Sequence, residues 1–330
     1  MHFLEKLHTL EKEGMISGEI RSVLTGFYHS YESAIAANGG DVSLQSPLLN
    51  KFLDLVVDQK RNPHTFGSYH EKIVEPFDYY HFGIDFLRPI VKLDQSTIVG
   101  EDKVVEMESH LNKGENVVIF SNHQIEPDPQ AISLLLEKSH PDLAQNMIFV
   151  AGHRVTTDPL TVPFSLGRNL LCIFSKNYIE HPPEKKSEKV RHNQRTMKTM
   201  RELLTEGGKC IYVAPSGGRD RRSAEGVIEV APFDAQSIEM FWLTAKHSTT
   251  PTHFYPLALS TYDILPPPDK VKVALGESRE TKSSPIHLAF GTEIGMENFP
   301  GSENPDKKQR RAFRAEYIWN VVKELYNKIS

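Results

Sequence analysis

In SNHQIEPDP (121–129) a histidine and an aspartate lie five positions apart, with a proline on each side of the aspartate. Three chemistries fit such a pair. The Asp128 carboxylate can bond Nδ1–H of His123, fix its tautomer and leave Nε2 to accept a proton. The two could instead ligate a metal together with His153, but no HExxH or comparable local spacing supports that. Or Asp128 is the N-cap of a helix beginning QAISLLLE, with Pro129 in the first helical position. The prolines prevent 123–128 from being one continuous helix, so the segment must turn. A turn can fold the carboxylate onto the ring while it also caps, because a carboxylate has lone pairs for both tasks. Spacing leaves the capping and catalytic readings open.

A second polar cluster is PSGGRDRR (215–222). Gly217 and Gly218 permit close backbone approach, and the guanidinium forks of Arg219 and Arg221 suit a phosphate or carboxylate. It is neither a Walker loop, lacking GxxxxGK[ST], nor a nucleophile elbow, since Ala214 stands where GxSxG needs glycine. Its plain alternative is a solvated charged turn. Ser216 also admits a serine-hydrolase reading with His123 and Asp128. A third feature is the run 184–201, with seven Lys or Arg against two Glu. Such runs are usually solvated helix faces; Lys185, Lys186, Lys189, Arg191, Arg195 and Lys198 could also dock an acidic protein.

These residues need a scaffold. NVVIF (116–120), MIFVA (147–151), LCIF (171–174), CIYVA (210–214), HFYPLAL (253–259) and VKVAL (271–275) are strand-length apolar runs. Helical stretches at 129–138 and 189–206 fall between several of them. This alternation predicts an α/β domain whose sheet is mixed and at least partly parallel. Both polar clusters directly follow strands, where open α/β sheets bind ligands. Upstream, Ile20, Val23, Leu24, Phe27, Tyr28, Tyr31, Ala34 and Ile35 share one helical face, AANGGD stops that helix, and SPLLNKFLDLVV begins another. A small N-terminal helical bundle over 1–74 is expected, with nothing chemical in it, ahead of a catalytic unit over 75–330. A closing helix is expected between Pro305 and Ile329.

The 330-residue chain has net charge −5 and pI near 6.3, which argues against a nucleic-acid partner. Cys172 and Cys210, its two cysteines, sit in apolar runs and read as buried free thiols. No apolar run reaches membrane-spanning length, so at most peripheral membrane contact is expected. An initiator Met without a transit-like leader favours a bacterial cytoplasm over the plastid stroma.

Taken together and in order, NHxxxxD with its proline, AGHRVTTDPLTVPFSLGRNLLCIFSK, APSGGRDR and HFYPLALSTYDILPPP resemble the soluble, plastid-type glycerol-3-phosphate acyltransferases. The likeness runs from EPFDYYHFGIDFLRP (75–89) to the C-terminus. It implies an αβα sandwich and transfer of a fatty acyl group from acyl-acyl carrier protein, or acyl-CoA, to the 1-hydroxyl of sn-glycerol 3-phosphate, with no cofactor. His123 and Asp128 then match the family's catalytic pair, and Arg219 and Arg221 its phosphate-binding residues. The family block SKKH falls on Ser175, Lys176, Asn177 and Tyr178, so one lysine is kept. Lys176 joins the expected phosphate pocket, with Ser216, Gly217, Asn177, Tyr178 and His181 as further candidates. A lysophosphatidate acyltransferase and a non-catalytic phosphate- or lipid-binding protein are the rival readings.

Overall fold

The computed structural model describes residues 2–267 and 279–330; the side chains of Lys176 and Asn177 are outside the described set. The strand expected at 271–275 lies outside the described residues. The ten strands among those described are β1 (Tyr69–His70), β2 (Thr97–Val99), β3 (Asn116–Ser121), β4 (Ile148–Gly152), β5 (Asn169–Ile173), β6 (Cys210–Val213), β7 (Arg221–Arg222), β8 (Ile228–Glu229), β9 (Thr252–Ser260) and β10 (His287–Phe290). Eight of them form one sheet in the order β1-β5-β4-β6-β3-β9-β10-β2, while β7 and β8 pair separately. Neighbours from β5 through β9 run parallel. The outer pairings β1–β5 and β9–β10 are antiparallel, so the sheet is mixed, as the strand–helix alternation predicts.

Helices cover both faces, and the central strand shows how. Every residue of β3 is buried, which is why it reads as an unbroken apolar run rather than an alternating one. Its side chains nevertheless divide with period two. Val117 and Ile119 pack with Val104, Met107, Ile132 and Leu136 on one face. Val118 and Phe120 pack with Met200, Leu204, Ile238, Phe241, Ile318 and Val322 on the other. The second set comes from the helices Lys186–Glu206, Ala235–Lys246 and Lys307–Tyr326, the last being the expected closing helix.

At the N-terminus, α1 (Phe3–Lys12) precedes helices α2 (Gly18–Ala37) and α3 (Ser46–Arg61), which form where the apolar spacing predicts them. Ser17 Oγ caps α2 by accepting from Ile20 N–H, and Gly39 ends the chain reversal at a φ of 75° that favours glycine. The core of these helices continues into Tyr80, Phe82, Ile84 and Phe86 of α4 (Tyr79–Leu87). Fully buried Tyr31 donates a 2.8 Å hydrogen bond from its hydroxyl to the Phe86 carbonyl. Two further helices bracket β3: α5 (Glu101–Asn112) before it and α6 (Asp128–Leu136) after it. Cys172 and Cys210 are buried free thiols, and burial pushes each up to about 12, away from any nucleophilic role.

Candidate active site

The side chains of interest sit on loops leaving the carboxyl ends of four adjacent parallel strands. His123 follows β3, His153 and Arg154 follow β4, the segment 214–219 follows β6 and Thr261 follows β9. Asp128 is nearly inaccessible and its Oδ2 lies 2.7 Å from His123 Nδ1. The same oxygen accepts from the Gln124 and Ile125 N–H groups at 2.8 and 3.2 Å, and Oδ1 accepts from the Thr261 hydroxyl at 2.6 Å. The capping expectation is corrected here. Pro127 occupies the N-cap, Asp128 is the first helical residue, and the helix has no side-chain cap bond. The carboxylate turns back instead, onto the donors of its own 123–125 turn. His123, about a third exposed, is left with Nε2 as its available nitrogen.

One buried carboxylate that the motif reading passed over ties the two polar loops together. Asp220, between Arg219 and Arg221, is fully buried. Its backbone N–H donates to the His123 carbonyl at 2.7 Å. Its Oδ2 accepts from Asn122 Nδ2 at 2.7 Å and Gln124 Nε2 at 3.2 Å, while Oδ1 accepts from Ala231 N–H at 2.9 Å. Burial pushes its carboxyl up to about 6, against the lowering effect of these donors and with some help from the charge of Asp128. Asn122 and Gln124 in turn bond the backbone of Leu259, Thr261 and Tyr262, and the Tyr212 hydroxyl donates to the Asn122 carbonyl. Both neighbours of His123 in sequence are thus committed to holding its loop.

A cleft of about 1680 Å³ opens over these loops, and His123, Asp128, Arg219 and Arg221 all line it. Ser216, Gly217, Gly218, Tyr178 and His181 are on its wall as well; Lys176 and Asn177 are not described at side-chain level. Gly217 has a φ of 64°, and both glycines face open space. Ser216 donates its hydroxyl to the Gly218 carbonyl at 2.8 Å, away from the imidazole bond a nucleophilic serine needs. His153 lies against the Phe174 ring, tilted by 33° with centroids 4.6 Å apart. Burial, then the charges of Lys189, His192 and Lys185, hold its imidazole below the ordinary value.

Two further charged residues line the cleft, Glu126 and Arg279, and neither was singled out from the sequence. Glu126 Oε2 pairs with Arg279 Nε at 3.0 Å, and Arg279 also reaches Asp158 at 3.1 Å. Burial opposes the charge of Glu126, but the guanidinium groups of Arg279, then Arg219 and Arg154, hold its carboxyl below the usual carboxylate range. The N-terminal helices also reach this cleft. Val23, Leu24, Phe27, Tyr31 and Phe52 line it, a packing role that the sequence did not indicate. In the basic run, Lys189 is buried and donates to the carbonyls of Tyr178 and His181, so it is no surface charge. Lys185, Lys186, Arg191, Arg195 and Lys198 are exposed.

The model of the family described as Acyltransferase matches residues 103–260. A chloroplastic glycerol-3-phosphate acyltransferase of Cucurbita moschata is 38% identical over 329 residues, covering 98% of this chain and 71% of the relative. The chloroplastic enzyme of Pisum sativum is 38% identical, and that of Arabidopsis thaliana 35%, each alignment covering 95% of this chain and 69% of the relative.

Proposed function

This chain belongs to the glycerol-3-phosphate acyltransferase family, and from that membership we propose that it transfers a fatty acyl group from a thioester, acyl-acyl carrier protein or acyl-CoA, to the 1-hydroxyl of sn-glycerol 3-phosphate. The observation that carries this reading is the shared cleft: an imidazole hydrogen-bonded to a buried carboxylate, two arginines, and apolar side chains of the N-terminal helices suited to an acyl chain all line it.

An alcohol attacks a thioester slowly unless its proton leaves during attack, and a positioned base is worth about 10²–10⁴-fold. His123 Nε2 takes that proton as the hydroxyl oxygen bonds to the thioester carbonyl carbon. The carbon–sulfur bond then breaks, and the thiolate recovers a proton from the imidazolium. Asp128 holds Nδ1–H toward itself throughout and offsets the imidazolium charge. Arg219 and Arg221 grip the dianionic phosphate by charge-assisted hydrogen bonds, which aims the hydroxyl at the base. Lys176, Tyr178 and His181 are assigned to the rim of the phosphate pocket. In this reading the helical unit over 1–74 shapes the acyl end of the cleft, and residues from 75 onward carry the chemistry.

Transfer needs no transmembrane anchor, and among the described residues no helix is long and apolar enough to cross a membrane. The test is an assay of the wild-type chain and His123→Ala with glycerol 3-phosphate and each donor, with product identification. The expected result is 1-acyl-glycerol 3-phosphate from wild type and a rate about 10²–10⁴-fold lower from the variant. Product from lysophosphatidate alone would replace the acceptor, and no turnover at all would reduce the chain to a binding protein.

A further inference from the structure

At the other end of the strands, near the amino ends of β3 and β9, side chains from four segments meet. His110 lies in the last turn of α5 and Glu106 one turn earlier; Glu115 precedes β3, His253 lies in β9, and Glu293 follows β10. The rings of His110 and His253 stack at 3.5 Å between centroids, 22° from parallel. Glu115 Oε2 is 2.7 Å from His110 Nδ1 and 3.1 Å from His253 Nε2. Glu293 Oε1 is 2.8 Å from His253 Nδ1. Ligand-type atoms of His110, Glu115 and His253 all lie within 4.8 Å of one another, and so do those of Glu106, His110 and Glu293.

The hydrogen count of this cluster does not close with neutral rings. A carboxylate oxygen and an unprotonated ring nitrogen both present lone pairs, so each of the three nitrogen–oxygen contacts needs a positive bridge. Two neutral imidazoles supply one N–H each. His253 is the ring in deficit, because a carboxylate oxygen faces each of its nitrogens. A third bridging charge is required, placed against a second imidazole in a site that already gathers three glutamates.

We propose that His110, His253 and Glu115 bind a divalent transition metal, zinc being the best match to two imidazoles and one carboxylate. An ion among these three takes the place of the two protons facing Glu115. His110 Nδ1 and His253 Nε2 become lone-pair donors to it, which suits their convergence on a single oxygen. His253 then keeps its one proton on Nδ1, donated to Glu293, the outer-shell carboxylate that commonly orients a metal-bound histidine. Every contact is satisfied with neutral rings. His110, Glu115 and His253 are partly exposed, so an ion enters from solvent and water completes its coordination. The ion ties the end of α5 to β9 and to the segments flanking β3 and β10. It lies away from the His123 cleft and takes no part in acyl transfer.

The experiment is titration of chelator-treated full-length chain with Zn²⁺ by isothermal calorimetry, in wild type and in His253→Gln, Glu115→Gln and Glu293→Gln. Far-UV circular dichroism and acyltransferase turnover serve as folding controls. One equivalent is expected in wild type. His253→Gln and Glu115→Gln should abolish it, and the outer-shell variant Glu293→Gln should weaken it about 10- to 100-fold. Co²⁺ should give the intense visible absorption of a four-coordinate N/O site. Binding that is absent in wild type, or unchanged in folded His253→Gln, overturns the proposal. A weak six-coordinate cobalt spectrum does the same.

Discussion

At the scale of single residues, Asp128 resolves an ambiguity that its sequence context creates. An aspartate before a proline at a helix start has two good uses, and here its four hydrogen bonds go to the His123 ring, two backbone N–H groups of the turn and Thr261. The arrangement makes the imidazole tautomer a consequence of a buried carboxylate that cannot rotate away without orphaning those donors. Arg219 is the residue through which the proposed phosphate pocket is tested. Loss of one charge-assisted contact costs about 1.5–3 kcal/mol, so Arg219→Ala should raise KM for glycerol 3-phosphate roughly 10- to 100-fold and change kcat less. Steady-state kinetics with varied acceptor checks this, and an unaltered KM rejects the assignment.

At the scale of elements, the loop after β6 is held to the loop after β3 by Asp220. This carboxyl titrates near 6 in the folded chain, above its unfolded value of 3.8, with burial as the main cause. A raised acid pKa means that the folded state prefers the protonated form. Its stabilising contribution is therefore complete below the unfolded value and is lost as pH rises through about 6. A shift of roughly two units corresponds to about 2–3 kcal/mol. Urea unfolding of wild type and Asp220→Asn between pH 4 and 7 should show wild-type stability falling by about that amount relative to the variant. A difference that stays flat over this range would show that Asp220 is ionised throughout. The pairing also ties the PSGGRDRR loop to the position of His123.

On the scale of the whole molecule, the helical module and the sheet domain share one core and one cleft. Under the proposed function, Leu24 and Phe52 are then expected to bear on acyl-chain preference from far along the chain. Leu24→Trp should depress turnover with long-chain donors several-fold more than with short-chain donors, measured by competition between acyl-CoA lengths. Equal loss across lengths would place the acyl chain elsewhere. The exposed cations of the Lys186–Glu206 helix and its approach form a second global feature. Reversing Lys185, Lys186, Arg191 and Arg195 to glutamate should slow turnover with acyl-acyl carrier protein more than with acyl-CoA, and the gap should shrink at high salt. Identical losses with both donors would leave this face as solvated surface. Lys189 is excluded from the set because it is buried beneath Tyr178 and His181.

Local order is what the sequence determined by itself. Strand-length apolar runs, helix periods and the glycine stop at 39–40 required nothing beyond steric preference and burial, and β3, β4, β6 and the terminal helix lie where those patterns put them. The proximity of His123 and Asp128 was legible for the same reason, since a proline-bounded turn has few ways to fold. Tertiary structure alone decided which use Asp128 serves, because Thr261 arrives from 133 residues away. It likewise made Asp220 a clamp, brought Arg279 to Glu126, buried Lys189 and set α2 and α3 along the cleft. Each of these depends on desolvation or on pairing between distant segments, and neither has a period or a spacing that a linear pattern can carry.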